Sequence, residues 1–177
     1  MAVPEILNTV EQSGLSMWIR NTDSLFGFYF ILLLHTIGLS LLVGASVVVD
    51  LRILGVAPDL PLKSLKWLFR VMWAGFFINA PTGLLLLISY PTKALTNPDF
   101  YIKLSLIGIS LVVMQKIKTR VFDDSLSEPD MVARGKTMAK YSLALWAASI
   151  TAGRLLAYTY TYLLYGVYAV VTLNTHI

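Results

Sequence analysis

Four stretches of this sequence are each long and apolar enough for a helix to cross a membrane. A crossing takes about 20 apolar residues, because the hydrocarbon core is about 30 Å thick and a helix rises about 1.5 Å per residue. The stretches cover residues 25–49, 68–90, 100–118 and 141–163, and the last continues in apolar sequence to residue 171. They predict an all-α integral membrane protein, a four-helix transmembrane bundle. Five helical segments result if the last stretch breaks near Gly153 or Gly166.

The composition agrees with lipid as the main solvent. Of 177 residues, 56% are hydrophobic and 14% are charged, a balance far from that of a soluble domain. No repeat or linker divides the chain, so we expect one domain over residues 1–177. Residues 4–18 predict an amphipathic helix at the membrane interface, and we expect the polar segment 123–140 to be a loop.

The basic residues indicate how the chain is oriented. Ten of the 14 lie in or beside the loops that follow the first and third stretches, namely Arg52, Lys63, Lys66, Arg70, Lys116, Lys118, Arg120, Arg134, Lys136 and Lys140. The positive-inside rule places these loops in the cytoplasm and both termini in the periplasm of a bacterial inner membrane. The net charge of +4 is thus a topology and lipid-contact signal and does not indicate nucleic acid.

His35 is the one ionisable residue in the first stretch. An imidazole in an apolar span needs a hydrogen bond, a charged partner or a metal. Gly38 nearby leaves room for a neighbouring helix or a flat cofactor such as haem b. Two readings stay open: a hydrogen bond between helices that fixes packing, or axial ligation of haem iron. The only other histidine, His176, is predicted to lie outside the bundle.

Arg154, Lys103 and Tyr158 are further candidates for a cofactor site. No acidic residue in a span interior balances Arg154, so a haem propionate, lipid phosphate, quinone oxygen or partner carboxylate is expected to do so, unless Arg154 extends to the interface. Lys103 begins the third span on the same outer side and either joins Arg154 around one anion or lies at the interface. Tyr158 opens a row of tyrosines typical of an aromatic belt or a subunit contact.

Asn79 lies midway along a stripe of small residues in the second span. Gly75, Asn79 and Gly83 recur every four residues and therefore share one helix face, with Pro81 beside them. The stripe predicts a close contact with another helix. Asn79 is expected either to assist that packing or to bond to His35 or a quinone carbonyl.

The acidic residues all lie in loops, tails or the ends of spans, whereas ion-coupled transporters usually carry intramembrane carboxylates. No nucleotide-binding, metalloprotease or serine-hydrolase motif is present, and the chain lacks cysteine. We therefore expect no catalysis by this chain alone.

Three strings of the sequence resemble a family of small bacterial multi-pass membrane proteins of unknown function. They are LLLHTIGLSLLVGASVVVDLRILG at 32–55, NPDFYIKL at 97–104 and SLALWAASITAGRLLAY at 142–158. The family pattern combines an intramembrane His, an Asp-Leu-Arg, an Asn-Pro-x-Phe and a Gly-Arg-x-x-Ala-Tyr, matched here at 35, 50–52, 97–100 and 153–158. Many relatives carry Glu where this chain has Leu32. The resemblance implies the fold and the choice of residues, but no reaction.

We therefore expect a membrane subunit of a larger complex. It would anchor membrane or periplasmic subunits, or further copies of itself, among membrane lipids. It would hold haem b or a quinone for electron transfer, with His35, Asn79, Arg154, Tyr158 and Lys103 around the group and His35 as the metal ligand. The alternatives are a purely structural or lipid-binding subunit without a cofactor, and an oligomeric permease for a small solute or metal.

Overall fold

The computed structural model describes residues 5–21, 26–122 and 125–174. It is all-helical, with 86% of residues in helices and no strands among the described residues. The sequence-based expectation of an all-α protein is confirmed.

Three helices are long and apolar enough to cross a membrane, which is consistent with a membrane protein. They are Phe28–Ile53 (α3), Leu68–Ser89 (α4), which follows directly on a 3-10 turn at Leu62–Trp67, and Pro98–Arg120 (α6). Each overlaps one of the first three predicted stretches. Many of their large apolar side chains are exposed, for example Leu33, Phe77 and Ile109. In water such a surface would be costly, whereas lipid accommodates it.

The amino-terminal segment forms two short helices where the sequence predicted one. They are Glu5–Glu11 (α1) and Gly14–Asn21 (α2). Both dock near the end of α4, where the hydroxyl of Ser16 donates to the carbonyl of Ser89 (3.3 Å) and Thr92 donates to Glu11 (2.7 Å). Thr92 belongs to Pro91–Leu95 (α5), a short helix between α4 and α6.

The last helix, Glu128–Asn174 (α7), is continuous over 47 residues. The break near Gly153 or Gly166, which would give five helical segments, does not occur in its backbone. The prediction that 123–140 forms a loop is wrong for residues 128–140, which are the first turns of α7. The reason is packing: Met131 and Ala139 are fully buried, and Gly135 lies against Ile53 and Val121.

The helices pack in the order α4, α3, α7, α6, because α3 contacts both α4 and α7, and α6 packs on α7. A buried apolar cluster occupies the end of the bundle that contains the last turns of α3 and α6 and the start of α4. Leu42, Ile53, Phe69, Met114 and Trp146 belong to it. His35 lies towards the opposite end, near the beginning of α3.

Candidate functional site

Two glycines bring α3 and α4 into direct backbone contact beside His35. A methyl group added to Gly38 would lie 2.7 Å from the Asn79 nitrogen and 2.9 Å from the Gly75 carbonyl oxygen. One added to Gly75 would lie 2.6 Å from the Leu42 nitrogen. Only hydrogen fits at these positions, so the stripe predicted at Gly75 and Asn79 is a close-packing surface.

The imidazole of His35 bonds to the neighbouring helix through its Nδ1 atom. This atom lies 3.0 Å from the carbonyl oxygen of Asn79 and 3.2 Å from the hydroxyl of Thr82. In return, the Asn79 side-chain amide donates to the His35 carbonyl at 2.8 Å. The predicted bond between His35 and Asn79 is therefore present and runs in both directions.

The partners of Nδ1 determine which ring nitrogen carries the proton in neutral His35. A carbonyl oxygen can only accept, so Nδ1 carries the hydrogen and donates it to Asn79. The Nε2 atom is then left with its lone pair. Its contact with the Asn79 amide is long, at 3.5 Å, and that amide has the better bond to the His35 carbonyl. A donor or a metal ion could still use this lone pair.

Gly83 and Thr82 shape the space around the ring. A methyl group on Gly83 would stand 3.0 Å from the Cε1 atom of His35, so the glycine allows the ring edge to approach α4. The Thr82 hydroxyl also lies 2.7 Å from the Ile78 carbonyl, and it lies within α4 one residue after Pro81. The Asn79 carbonyl and the Thr82 hydroxyl thus hold the His35 ring against α4.

Lys103 approaches the same region from α6. Its aliphatic chain crosses Gly153 of α7, where an added methyl group would lie 3.5 Å from the lysine Cε atom. The ammonium is near enough to His35 for electrostatic interaction. No hydrogen bond or ion pair joins Lys103 to another described residue. Gly153 of the Gly-Arg motif thus makes room for the Lys103 side chain where α6 meets α7.

Arg154 and Tyr158 lie on a different surface. Both are exposed on α7, four residues apart, and therefore on one face of that helix. The structure brings His35 and Asn79 into contact and places Lys103 within electrostatic range of His35, whereas Arg154 and Tyr158 lie on an outward face. The predicted five-residue site divides into an inner group and an exposed pair.

Methionine sulfur and a second histidine can also ligate haem iron. The candidates Met72 and Met114 lie away from His35, 1% exposed within the apolar cluster, and His176 lies outside the described residues. No group of three or more His, Cys, Asp or Glu side chains that could hold a metal occurs in the part of the chain that the structure describes. His35 is the single imidazole ligand available from these residues.

Both charged residues of the Asp-Leu-Arg sequence at the end of α3 are buried, which their position at a helix end does not reveal. The Arg52 guanidinium bonds to Glu128 at 2.7 Å and to the Pro58 carbonyl at 2.9 Å. Glu128 also accepts from the Leu62 nitrogen at 2.8 Å. Asp50 is 1% exposed, whereas the sequence placed it only at the end of a span.

The Asn-Pro-x-Phe sequence joins α6 to α7. The side-chain oxygen of Asn97 accepts from the Asp99 nitrogen at 2.9 Å and caps α6, with Pro98 in its first turn. The Asn97 amide donates to Thr159 at 2.9 Å, and Thr159 donates to Asp99 at 2.8 Å. This motif therefore has a capping and packing role.

The chain was also compared with known proteins. No family model matches it, and neither a curated protein nor a solved structure matches it.

Proposed function

We propose that this protein is a membrane subunit of a larger assembly and that it holds a redox-active group, a quinone or haem b, beside His35 and Lys103. One observation carries the proposal. The Nδ1 atom of His35 is fixed to the Asn79 carbonyl at 3.0 Å, which leaves the Nε2 lone pair for a ligand. Histidines that bind iron are oriented in the same way, through a bond from the other ring nitrogen.

The charges around His35 favour a group that presents oxygen atoms. Lys103 is half-buried and forms no ion pair with another described residue. A cation inside a membrane calls for a partner oxygen or anion. A quinone headgroup matches this pair, because a carbonyl oxygen would accept from Lys103 and a hydroxyl of the reduced form would donate to His35 Nε2.

Haem b fits with one condition. His35 would hold the haem iron through Nε2, while Met72 and Met114 are buried in the apolar cluster. Any second protein ligand would therefore come from a partner chain. Either group, when bound, would supply electron transfer. The contribution of this chain is to orient the His35 ring and to place the positive charge of Lys103 near the group.

We further propose that the chain crosses the bacterial inner membrane four times, with both termini in the periplasm. The fourth crossing would be the apolar part of α7 after Tyr141. The distribution of basic residues supports the orientation. Ten of the 14 basic residues, among them Arg52, Arg70 and Lys116, lie at one end of the bundle. The resemblance to small bacterial multi-pass proteins agrees with this arrangement.

The exposed pair on α7 supports a role as a subunit. Arg154 lies within an apolar sequence and has no ion pair among the described residues, and Tyr158 beside it is 64% exposed. An arginine on a membrane face needs a carboxylate from a partner or a lipid phosphate. Aromatic and arginine side chains are also common in protein interfaces.

Oxidised and dithionite-reduced absorption spectra of the protein in mild detergent test the proposal, together with extraction and quantification of bound quinone. We expect either haem bands or extractable quinone, and loss of the signal in His35→Ala. Thr36→Ala is the matched control, because Thr36 is an exposed neighbour that bonds to its own helix. Folded protein that carries neither group would overturn the proposal.

A structural role for His35 is the second candidate, and the two-way bond with Asn79 favours it. The ring and the amide join α3 to α4 at the point where Gly38 and Gly75 touch. In that case His35→Ala would lower the stability of the bundle while partner subunits still co-purify without a chromophore or quinone.

A further inference from the structure

Asp50 occupies the end of α3 opposite to His35, fifteen residues and therefore about 22 Å further along the helix. The side chain is directed into the contact between α3 and α7, and the residue is 1% exposed. Its neighbours there are Ser46 of α3 with Ser142 and Trp146 of α7. None of these residues belongs to the redox site proposed at His35.

The hydroxyl of Ser46 stands too far from its two oxygen neighbours for good hydrogen bonds. Ser46 Oγ lies 3.4 Å from Asp50 Oδ2 and 3.4 Å from Ser142 Oγ, whereas hydroxyl hydrogen bonds are usually about 2.7–2.8 Å long. The other carboxylate oxygen, Asp50 Oδ1, is buried and has no hydrogen-bond partner among the described residues. A buried carboxylate oxygen left in this way is costly unless something binds it.

The charge of Asp50 is also unbalanced within the described part of the chain. No salt bridge reaches it there, and Arg52, two residues later, is engaged by Glu128 at 2.7 Å. The cluster therefore contains one carboxylate and two hydroxyls, with no nitrogen or sulfur ligand. Hard cations prefer such oxygen ligands, and a single carboxylate matches a single positive charge better than the two of Ca²⁺ or Mg²⁺.

We propose that Asp50, Ser46 and Ser142 form a binding site for one small monovalent cation, Na⁺ being the ion to test. Both Asp50 oxygens and the two hydroxyls would be ligands, and water or backbone carbonyls would complete the shell. Because the ligands come from α3 and α7, the ion would hold these two helices together. This site is independent of a quinone or haem beside His35.

Trp146 provides a direct readout of the site. Its indole nitrogen donates to Ser46 Oγ at 3.1 Å, and the residue is 1% exposed. A cation that draws the Ser46 oxygen towards Asp50 would change the surroundings of the indole. The experiment is a fluorescence titration of the purified protein with NaCl at constant ionic strength in choline chloride, repeated with KCl. Trp146→Phe identifies the part of the signal that comes from this residue.

We expect a saturable response to Na⁺ in the wild type and no response in Asp50→Asn, which keeps the shape and removes the charge. Ser142→Ala should weaken the affinity about tenfold, because it removes one ligand. Asp59→Asn is the matched control, since Asp59 lies in the exposed loop after α3 and should leave the titration unchanged.

Three results would overturn the proposal. The first is a wild type whose Trp146 signal does not saturate with Na⁺. The second is a Na⁺ response that persists in folded Asp50→Asn. If that variant does not fold, a Na⁺ affinity of Ser142→Ala equal to that of the wild type would overturn the proposal in its place. The third is a signal that follows pH and ignores Na⁺, which would assign a proton to Asp50. Equilibrium binding of radioactive Na⁺ to the same variants provides a measurement that does not depend on fluorescence.

Discussion

Gly38 of α3 and Gly75 of α4 pack backbone against backbone: a methyl group on Gly38 would stand 2.9 Å from the Gly75 carbonyl oxygen, and one on Gly75 would stand 2.7 Å from the Gly38 carbonyl oxygen. This contact sets the distance between the two helices. It also allows His35 and Asn79 to bond to each other across the interface.

Gly38→Ala should therefore destabilise the protein. The added methyl group meets backbone atoms that cannot move aside, so α3 and α4 must separate, at a cost of about 1–3 kcal/mol. Gly44→Ala is the control, because nothing lies within 4 Å of a methyl group there, and it should range from neutral to about 1 kcal/mol more stable. Unfolding in mixed detergent micelles measures both. Equal effects would contradict the close contact.

The His35 and Asn79 side chains should be energetically coupled. In a double-mutant cycle of His35→Ala and Asn79→Leu, we expect a coupling free energy of about 0.6–1.7 kcal/mol, as found for hydrogen bonds between membrane helices. A cycle of His35→Ala with Ile109→Ala, an exposed residue of α6, should be additive. Additivity in the first cycle as well would show that the bonds contribute nothing to stability.

Glu128 should hold the loop between α3 and the 3-10 turn in place. Its carboxylate bonds to Arg52 at 2.7 Å and to the Leu62 nitrogen at 2.8 Å. Glu128→Ala removes charged hydrogen bonds worth about 1.5–3 kcal/mol. Amide hydrogen exchange in residues 54–62 should therefore become about 10- to 100-fold faster. Asp130→Ala, two residues along the same helical turn, should leave amide exchange in that loop unchanged. An equal increase in the exchange rate in Asp130→Ala would show that the Glu128 bonds do not hold the loop.

The two loops on either side of α4 should face opposite compartments. The sequence has no cysteine, so Asp59→Cys and Thr96→Cys each carry a single thiol at an exposed position. In intact spheroplasts, a membrane-impermeant maleimide should label the second variant and label the first only after lysis. The reverse pattern would contradict the proposed orientation, and labelling of both variants would contradict a crossing by α4.

The three long helices could be predicted because apolar length is a local property of the sequence. Residues 68–90 were predicted, and α4 is Leu68–Ser89; residues 100–118 were predicted, and α6 is Pro98–Arg120. The helix at 128–140 was missed because its polar residues dominate the composition. A start signal was present, with Ser127 before Glu128 and Pro129 in the first turn, followed by buried Met131 and Ala139.

The site was predictable only in part, because it depends on contacts between distant residues. The stripe containing Asn79 indicated a packed face, and His35 indicated a polar group that needed a partner. The burial of Asp50 could not be read from its position at a helix end, since it follows from the way Ser142 and Trp146 on α7 pack beside it. The crossing of Lys103 over Gly153 likewise depends on how α6 and α7 meet.

The most direct test of a redox group at His35 is the amount of quinone plus haem that stays bound per protein copy after purification in mild detergent. The measurement compares the wild type with His35→Ala and Thr36→Ala. We predict near-stoichiometric ligand in the wild type and in Thr36→Ala, and loss of most of it in His35→Ala. Equal ligand content in folded wild type and His35→Ala, or none in any of them, would contradict the assignment.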